Sequence, residues 1–169
     1  MATVIRKAER RDIETLGRLG AMMIRVHHDF DPQRFLAPME GTERGYGSFL
    51  VSRIDSHDAC VFVAEEDGAV VGYVFGALEP MSWMELRAEG GVIHDVLVAD
   101  AARGKGVGTK LMQTAIGWLR DQGAHQIILM TAAKNATAHA LFRRIGFRDT
   151  MMEMTKDLLP GEKVPRSGG

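Results

Sequence analysis

The sequence predicts an α/β domain of the α+β type, in which helices flank a mixed, mostly antiparallel central sheet. Strand and helix patterns follow one another in the order β-α-α-β-β-β-α-β-α-β. Residues 60–65 and 70–78 are two apolar runs separated by a short polar turn, which is typical of an antiparallel hairpin. Residues 92–131 form a strand–helix–strand unit, whose two strands should be parallel and joined by a right-handed crossover.

The first half of the chain predicts one strand and two helices before the hairpin. A short strand over 3–6 precedes an amphipathic helix, for which Asp12 is a candidate cap. A second helix is expected over 42–53. The first helix is indicated by apolar residues at spacings of three and four, namely Ile13, Leu16, Leu19, Met23 and Val26.

The second half predicts three more strands and two helices. After the strand over 92–98, a helix is expected over 106–122, and the mostly apolar run 126–131 predicts a buried strand. Asn135 is a candidate cap for the next helix. A final strand is expected over 147–155, where three methionines would serve as core or as a dimer contact.

Composition indicates a soluble globular protein. The chain is 46% hydrophobic and 25% charged, and 21 basic residues against 22 acidic ones give a net charge of -1. This balance offers no electrostatic reason to expect nucleic acid or an anionic membrane as a partner. Since no apolar run approaches the ~20 residues of a membrane span and no secretory leader is evident, we expect a cytoplasmic protein.

The chain length favours one domain over 1–158, followed by a flexible tail over 159–169 of linker-like composition. The single cysteine, Cys60, excludes an intramolecular disulfide, and its apolar surroundings predict a buried, unreactive thiol. Adjacent His27 and His28 cannot easily bind one ion together, so we expect no metal.

A glycine-rich segment over 103–109 follows a strand and opens a helix. The free backbone N–H groups of a first helical turn, together with the helix dipole, favour an anion there. The P-loop pattern does not fit the segment, and Thr109 stands where the dinucleotide fingerprint needs its last glycine. The pattern Arg/Gln-x-x-Gly-x-Gly/Ala is matched by Arg103, Gly106 and Gly108.

Together with two further runs, this pattern resembles the GNAT family of N-acetyltransferases. The run-in over 93–102 is similar to the residues that precede the family's glycine loop. A second family signature resembles Asn135-Ala136 and the run 140–147. The resemblance covers the chain from the first strand to about residue 156.

The resemblance implies acetyl-CoA as co-substrate and a set of contacts to it. The thiol end would lie against Asn135 and Phe142, and the backbone of Val96 and Val98 would bind the pantetheine arm. The pyrophosphate would be held by backbone N–H groups of Arg103, Gly104, Lys105, Gly106, Val107, Gly108 and Thr109.

The implied reaction moves acetyl from acetyl-CoA to a primary amine by direct attack through a tetrahedral intermediate. His94 is the first candidate for base or proton relay, since histidine exchanges protons near neutral pH and would share a strand face with Val96 and Val98. Its rival is Asp95, which points the other way unless a bulge re-aims it. The backbone N–H of Val96 would stabilise the oxyanion.

Phe142 departs from the family, many members of which carry a tyrosine there to protonate the leaving sulfur. Two explanations stay open at this point. The thiolate can leave unaided, because a free thiol has a pKa of ~8.5. Alternatively, the protein is a weak or inactive acyl-CoA-binding sensor.

The acceptor is not specified by the sequence beyond a small-molecule or peptide amine. His28 and Phe30 lie where family members build an acceptor wall, and Trp83 precedes the central strand, so these three are candidate substrate residues. Family habit also suggests a homodimer.

Overall fold

Five strands form one sheet in the order of the chain in the computed structural model, which describes residues 2–158. The first four strands pair antiparallel and the last pair is parallel, which confirms the mixed sheet and its crossover. The predicted tail over 159–169 lies outside the described residues. The strands are β1 (Val4–Lys7), β2 (Ala59–Glu66), β3 (Ala69–Glu79), β4 (Gly90–Val98) and β5 (Ile127–Leu129).

Four α-helices cover the two faces of this sheet. Those on one face pack over an apolar cluster that includes Leu16, Leu50 and Tyr73, and those on the other over a cluster that includes Leu111 and Phe142. Cys60 lies buried in the second cluster, and burial raises the pKa of its thiol to about 11, as expected for an unreactive cysteine. The helices are α1 (Ile13–Phe30) and α2 (Thr42–Ile54) on the first face, and α3 (Val107–Asp121) and α4 (Ala136–Arg144) on the second.

The sequence prediction of a final strand is wrong. Residues 148–157 are described but pair with no strand, and Met151, Met152 and Met154 are each more than 80% exposed, so they are not core. Two physical reasons account for this. The methionines do not alternate with polar residues, and β5 is only three residues long, so its outer edge offers few backbone partners. The segment is held instead by an ion pair from Arg34 to Glu153.

Asp12 immediately precedes α1 but does not cap it with its side chain. Its carboxylate accepts two hydrogen bonds from Arg6, at 2.8 and 2.9 Å, and a third from the backbone N–H of Glu9. Asp12 thus takes the predicted N-cap position, but this ion pair occupies its carboxylate, which makes no capping hydrogen bond to α1. Asn135 does cap α4, as expected, since its side-chain oxygen accepts the N–H of Ala138 at 3.1 Å.

Glycines bring α1 and α2 into backbone contact. A Cβ placed on Gly17 would lie 2.9 Å from the carbonyl carbon of Glu43, and one on Gly47 would collide with the carbonyl oxygen of Ile13. A Cβ on Gly20 would overlap the ring of Tyr46. Glycine at these positions therefore sets the helix spacing and makes room for the Tyr46 side chain.

No helix among residues 2–158 is both long and apolar enough to cross a bilayer.

Candidate active site

The glycine-rich turn has the geometry of an anion site. Gly104 and Gly106 have φ angles of +76° and +82°, and a Cβ on either would meet no protein atom within 4 Å. Gly106 is the N-cap of α3, so the N–H groups of Val107, Gly108 and Thr109 belong to the first helical turn, where they have no partner inside the helix. The structure thus forms the turn that the sequence predicted, whereas its ligand stays a prediction.

Three basic side chains surround this turn. Arg103 donates through Nε to the carbonyl of Val98 at 3.0 Å and pairs with Asp100 at 2.8 Å. The ammonium of Lys105 is 3.9 Å from a carboxylate oxygen of Glu66.

The third basic side chain was missed by the sequence analysis. Arg144, at the end of α4, donates to the hydroxyl of Thr109 at 3.1 Å and is solvent-exposed. It lies within the second signature run, but sequence spacing did not indicate that α4 would end beside the start of α3.

The sheet opens between β4 and β5 just beyond this helix start. The two strands pair only from Gly91 and Ile127 to Ile93 and Leu129, while β4 continues to Val98. A small cavity of about 60 Å³ lies where the pairing ends. Its lining comes from both faces of the sheet: Met23 and His27 of α1, Ile93, His94, Asp95 and Val96 of β4, Leu129, Met130 and Thr131 beyond β5, and Asn135, Ala138 and Phe142 near α4.

A β-bulge changes which way the side chains of β4 point. Phe75 pairs with Asp95 and Gly76 with Ile93, so His94 is the extra residue. The prediction that His94 shares a face with Val96 is wrong, because regular alternation is interrupted at the bulge. The ring of His94 stacks on Phe75, with the ring centroids 5.1 Å apart, on the face of the sheet covered by α1 and α2. Val96 packs on the opposite face, towards α3.

Asp95 is the only acidic residue buried at this site among the described residues, with 8% of its surface exposed. The hydroxyls of Tyr46 and Tyr73 donate to its Oδ2, the second at 3.4 Å. Burial raises the pKa of Asp95 above the usual range, although the hydrogen bond from Tyr46 opposes that change. Burial and the neighbouring carboxylate raise the pKa of both tyrosines, which therefore stay protonated donors.

The side chain of His94 contacts Glu79 and Phe75. Its Nε2 lies 2.7 Å from Oε1 of Glu79, which also pairs with Arg87 at 3.0 Å. His27 was absent from the predicted site but lines the small cavity. Its Nδ1 lies 2.8 Å from the carbonyl oxygen of Met23, so this nitrogen carries the proton and donates.

A second, open cavity of about 550 Å³ adjoins the small one, and His94 and Asp95 line both. Neither cavity is lined by His28, Phe30 or Trp83, so their role in substrate binding stays a prediction. No cluster of three potential metal ligands occurs in the described part of the chain. The open cavity is lined by Tyr46, Phe49 and Arg53 of α2, Asp58, the end of β3 from Phe75 through Glu79, Pro80, His94 and Asp95.

A helix start suited to an anion lies beside a gap between parallel strands, the arrangement expected of an acyl-CoA-dependent transferase. The family model "Acetyltransferase (GNAT) family" matches residues 21–147, and the chain belongs to that family. It is an acetyl-CoA-dependent acetyltransferase by class, as the resemblance in the sequence indicated.

Curated relatives carry acetyltransferase names. The chain is 26% identical over 63% of its length to an uncharacterized N-acetyltransferase, YhfO, of Bacillus subtilis, and 27% identical over 60% to an N-alpha-acetyltransferase of Sulfurisphaera tokodaii. It is 38% identical over 47% of its length to an L-methionine sulfoximine/L-methionine sulfone acetyltransferase of Pseudomonas aeruginosa. The matches span 70%, 64% and 45% of these relatives, respectively.

Solved structures share the fold. A mutant of the BH1408 protein of Bacillus halodurans superposes with a TM-score of 0.79 at 19% identity, over 92% of this chain and 99% of that one. A predicted acetyltransferase of Clostridium acetobutylicum with acetyl-CoA gives 0.71 at 16% identity, over 93% and 97%.

Proposed function

We propose that this chain transfers the acetyl group of acetyl-CoA to a primary amine by direct attack, with no covalent enzyme intermediate. One observation carries the proposal. The carboxyl of Asp95 lies where the small cavity between β4 and β5 meets the open cavity. A group at that junction can contact an amine arriving from the open side and the carbonyl it attacks.

The residues around the glycine-rich turn fit coenzyme A. Gly104 and Gly106 leave the backbone uncovered, and the N–H groups from Arg103 to Thr109 would hold the pyrophosphate. Asn135, Phe142 and Val96 line the small cavity and would surround the thioester, which supplies the activated acetyl group. Val98 would contact the pantetheine arm through its backbone, although its carbonyl already accepts a hydrogen bond from Arg103.

We assign the role of base to Asp95 in preference to His94. Tyr46 and Tyr73 both donate to Oδ2, and no donor among the described residues reaches Oδ1, which leaves that oxygen for the amine proton. Burial raises the pKa of Asp95, and a raised pKa improves a carboxylate as a base near neutral pH. His94, held between Glu79 and Phe75, would position the acceptor or relay its proton to solvent.

The remaining steps use the backbone and the cofactor's own acidity. Val96 lines the small cavity, and its backbone N–H would donate to the developing oxyanion. Phe142 has no hydroxyl, so the sulfur would leave as a thiolate and take its proton from water or from Asp95. A homodimer and a cytoplasmic location stay predictions.

A sensor that binds acetyl-CoA without turnover is the second candidate, and Phe142 favours it. This side chain is buried in the wall of the small cavity, where a hydroxyl would be needed for acid catalysis. If the protein is such a sensor, acetyl-CoA should bind tightly, and added amines should not change the rate at which acetyl-CoA is hydrolysed.

The first test is release of free thiol from acetyl-CoA across a panel of primary amines at several pH values. We expect stimulation by amines, with a rate that rises with pH as the amine and Asp95 lose their protons. The acetylated amine should form in equal amount to the thiol, as mass spectrometry can show. Thiol release that no amine changes would favour the sensor.

Replacing Arg144 by alanine should raise the KM for acetyl-CoA by about 5- to 10-fold, because a charge-assisted contact to a phosphate would be lost. Arg143→Ala is the matched control, since Arg143 pairs with Asp149 at 2.6 Å and not with the helix start. If Arg144 contacts the 3'-phosphate, the effect should vanish with 3'-dephospho acetyl-CoA. Equal effects of the two alanine variants would refute the assignment.

A further inference from the structure

We infer that the open cavity accepts a monoamine with an aromatic ring, of the arylalkylamine class, whose ammonium group is seated at Asp95. The inference rests on the proposed acetyl transfer and names its acceptor. It depends on two independent features of the cavity, a continuous wall of rings and the pairing of its charges.

Four rings, each in contact with the next, form the wall of the cavity. Tyr46 meets Phe49 with centroids 6.0 Å apart, Phe49 meets Phe75 edge-to-face at 5.6 Å, and Phe75 stacks on His94 at 5.1 Å. All four line the open cavity. Phe49 is nevertheless 46% exposed, so the wall presents aromatic surface that no protein side chain covers. A flat ring would stack on this surface or meet it edge-on.

Among the described carboxylates that line the cavity, one has no cationic partner and could bind the ammonium group of a substrate. Glu79 is paired with both Arg87 and His94. Asp58 is paired with Arg53 at 3.2 Å. Within residues 2–158, Asp95 has no cationic partner at ion-pair distance, and its Oδ2 is held only by tyrosine hydroxyls.

The ion pairs of the cavity favour some classes of amine substrate over others. A polyamine needs a second unpaired carboxylate for its distal ammonium, and both other carboxylates of the cavity are already paired with arginines, Asp58 with Arg53 and Glu79 with Arg87. A free amino acid needs a cation for its carboxylate, and Arg53 is engaged by Asp58. Breaking either pair would cost the new ligand part of its binding free energy. An arylalkylamine breaks neither pair.

The sizes of the two spaces agree with this division. The small cavity, at about 60 Å³, has room for little more than the acetyl group. The open cavity, at about 550 Å³, has the volume of a small-molecule site and accommodates a ring with a short alkyl arm. The arm would place the nitrogen at the junction of the two cavities, beside Asp95.

The test compares kcat/KM for 2-phenylethylamine, 2-cyclohexylethylamine, spermidine and phenylalanine, with acetyl-CoA saturating. We expect 2-phenylethylamine to be preferred over the cyclohexyl analogue by about three- to tenfold, because only the aromatic ring gains from the ring wall. Spermidine and phenylalanine should be poorer still. Phe49→Leu should abolish the preference for the aromatic ring, and Phe49→Tyr should retain it.

The outcomes separate this inference from the proposed function. Acetylation of spermidine or phenylalanine in preference to 2-phenylethylamine would overturn the acceptor class and leave acetyl transfer standing. If no amine is acetylated, the proposed acetyl transfer is refuted. Calorimetry with 2-phenylethylamine in the presence of coenzyme A would then show whether the open cavity binds an aromatic amine. Binding that Phe49→Leu weakens and Phe49→Tyr keeps would uphold the aromatic site, whereas no measurable binding would overturn it.

Discussion

Replacing Asp95 by asparagine should lower kcat/KM for amine acetylation by about 10²- to 10⁴-fold, the usual contribution of a general base. Asparagine keeps the shape of the side chain and still accepts hydrogen bonds from Tyr46 and Tyr73, but it cannot take a proton. Binding of acetyl-CoA should be unchanged, as equilibrium titration would measure. His94→Gln is the comparison variant, and a loss as large as that of Asp95→Asn would return the role of base to His94.

The pH profile gives a second readout of the same variant. Because burial raises the pKa of Asp95, kcat/KM of the natural protein should fall as the pH drops through that raised pKa. The asparagine variant should lack this acid limb. The titratable groups that face Asp95 are Tyr46 from α2, Tyr73 from β3, His27 from α1 and His94 from β4. An unchanged acid limb would assign it to one of the two histidines or to the amine substrate itself.

The thermal stability of the Asp95→Asn variant shows whether its loss of activity comes from damage to the fold. The pKa of Asp95 is raised in the folded state, so the folded protein holds a proton that the unfolded chain releases above pH ~3.9. The free energy of unfolding therefore decreases as the pH rises from that value through the folded-state pKa. Asp95→Asn removes this decrease and should raise the melting temperature at neutral pH. A lower melting temperature would show that its catalytic defect is partly structural.

Replacing Gly17 by alanine should lower the free energy of unfolding by about 3 kcal/mol, the upper end of the range for overpacking. The added methyl would collide with the backbone of Glu43, which can move only if α1 and α2 separate. The melting temperature should fall by roughly 6–12 °C, since 1 kcal/mol corresponds to about 2–4 °C for a chain of this size.

Gly45→Ala is the matched control within α2. A Cβ at Gly45 meets nothing within 4 Å, so alanine should stabilise the helix by about 0.5–1 kcal/mol. Opposite signs for the two glycine-to-alanine changes would establish that contact, and not helix propensity, decides the outcome at Gly17. Equal stabilisation of both variants would mean that the helix pair adapts without cost.

Most of the fold could be predicted because its patterns are local. The hairpin, the crossover unit and the glycine-rich turn each depend on residues close together in the chain. The strand over 147–155 failed because a strand needs a partner edge, which β5, with three residues, scarcely offers. The bulge at His94 could be considered but not located from the sequence, since pairing with Phe75 and Gly76 of another strand creates it.

The candidate site was predicted in part for the same reason. The glycine turn and the residues beside the sheet gap could be named from motifs, but their partners come from distant elements. Tyr46 reaches Asp95 from 49 positions away, and it fits only because Gly20 has no side chain. Arg144 and His27 reach the site through packing between elements that sequence spacing does not describe.

The gap between β4 and β5 passes through the sheet, because α1 lines it on one side and α4 on the other. In the proposed reaction each of the two substrates would therefore have its own entrance, the nucleotide by the start of α3 and the amine by the ring wall. Neither substrate would then have to dissociate before the other could bind or leave. A gap open on both faces of the sheet would allow coenzyme A to leave and acetyl-CoA to bind while the amine stays bound, so the proposed reaction would proceed through a ternary complex with no fixed order of binding.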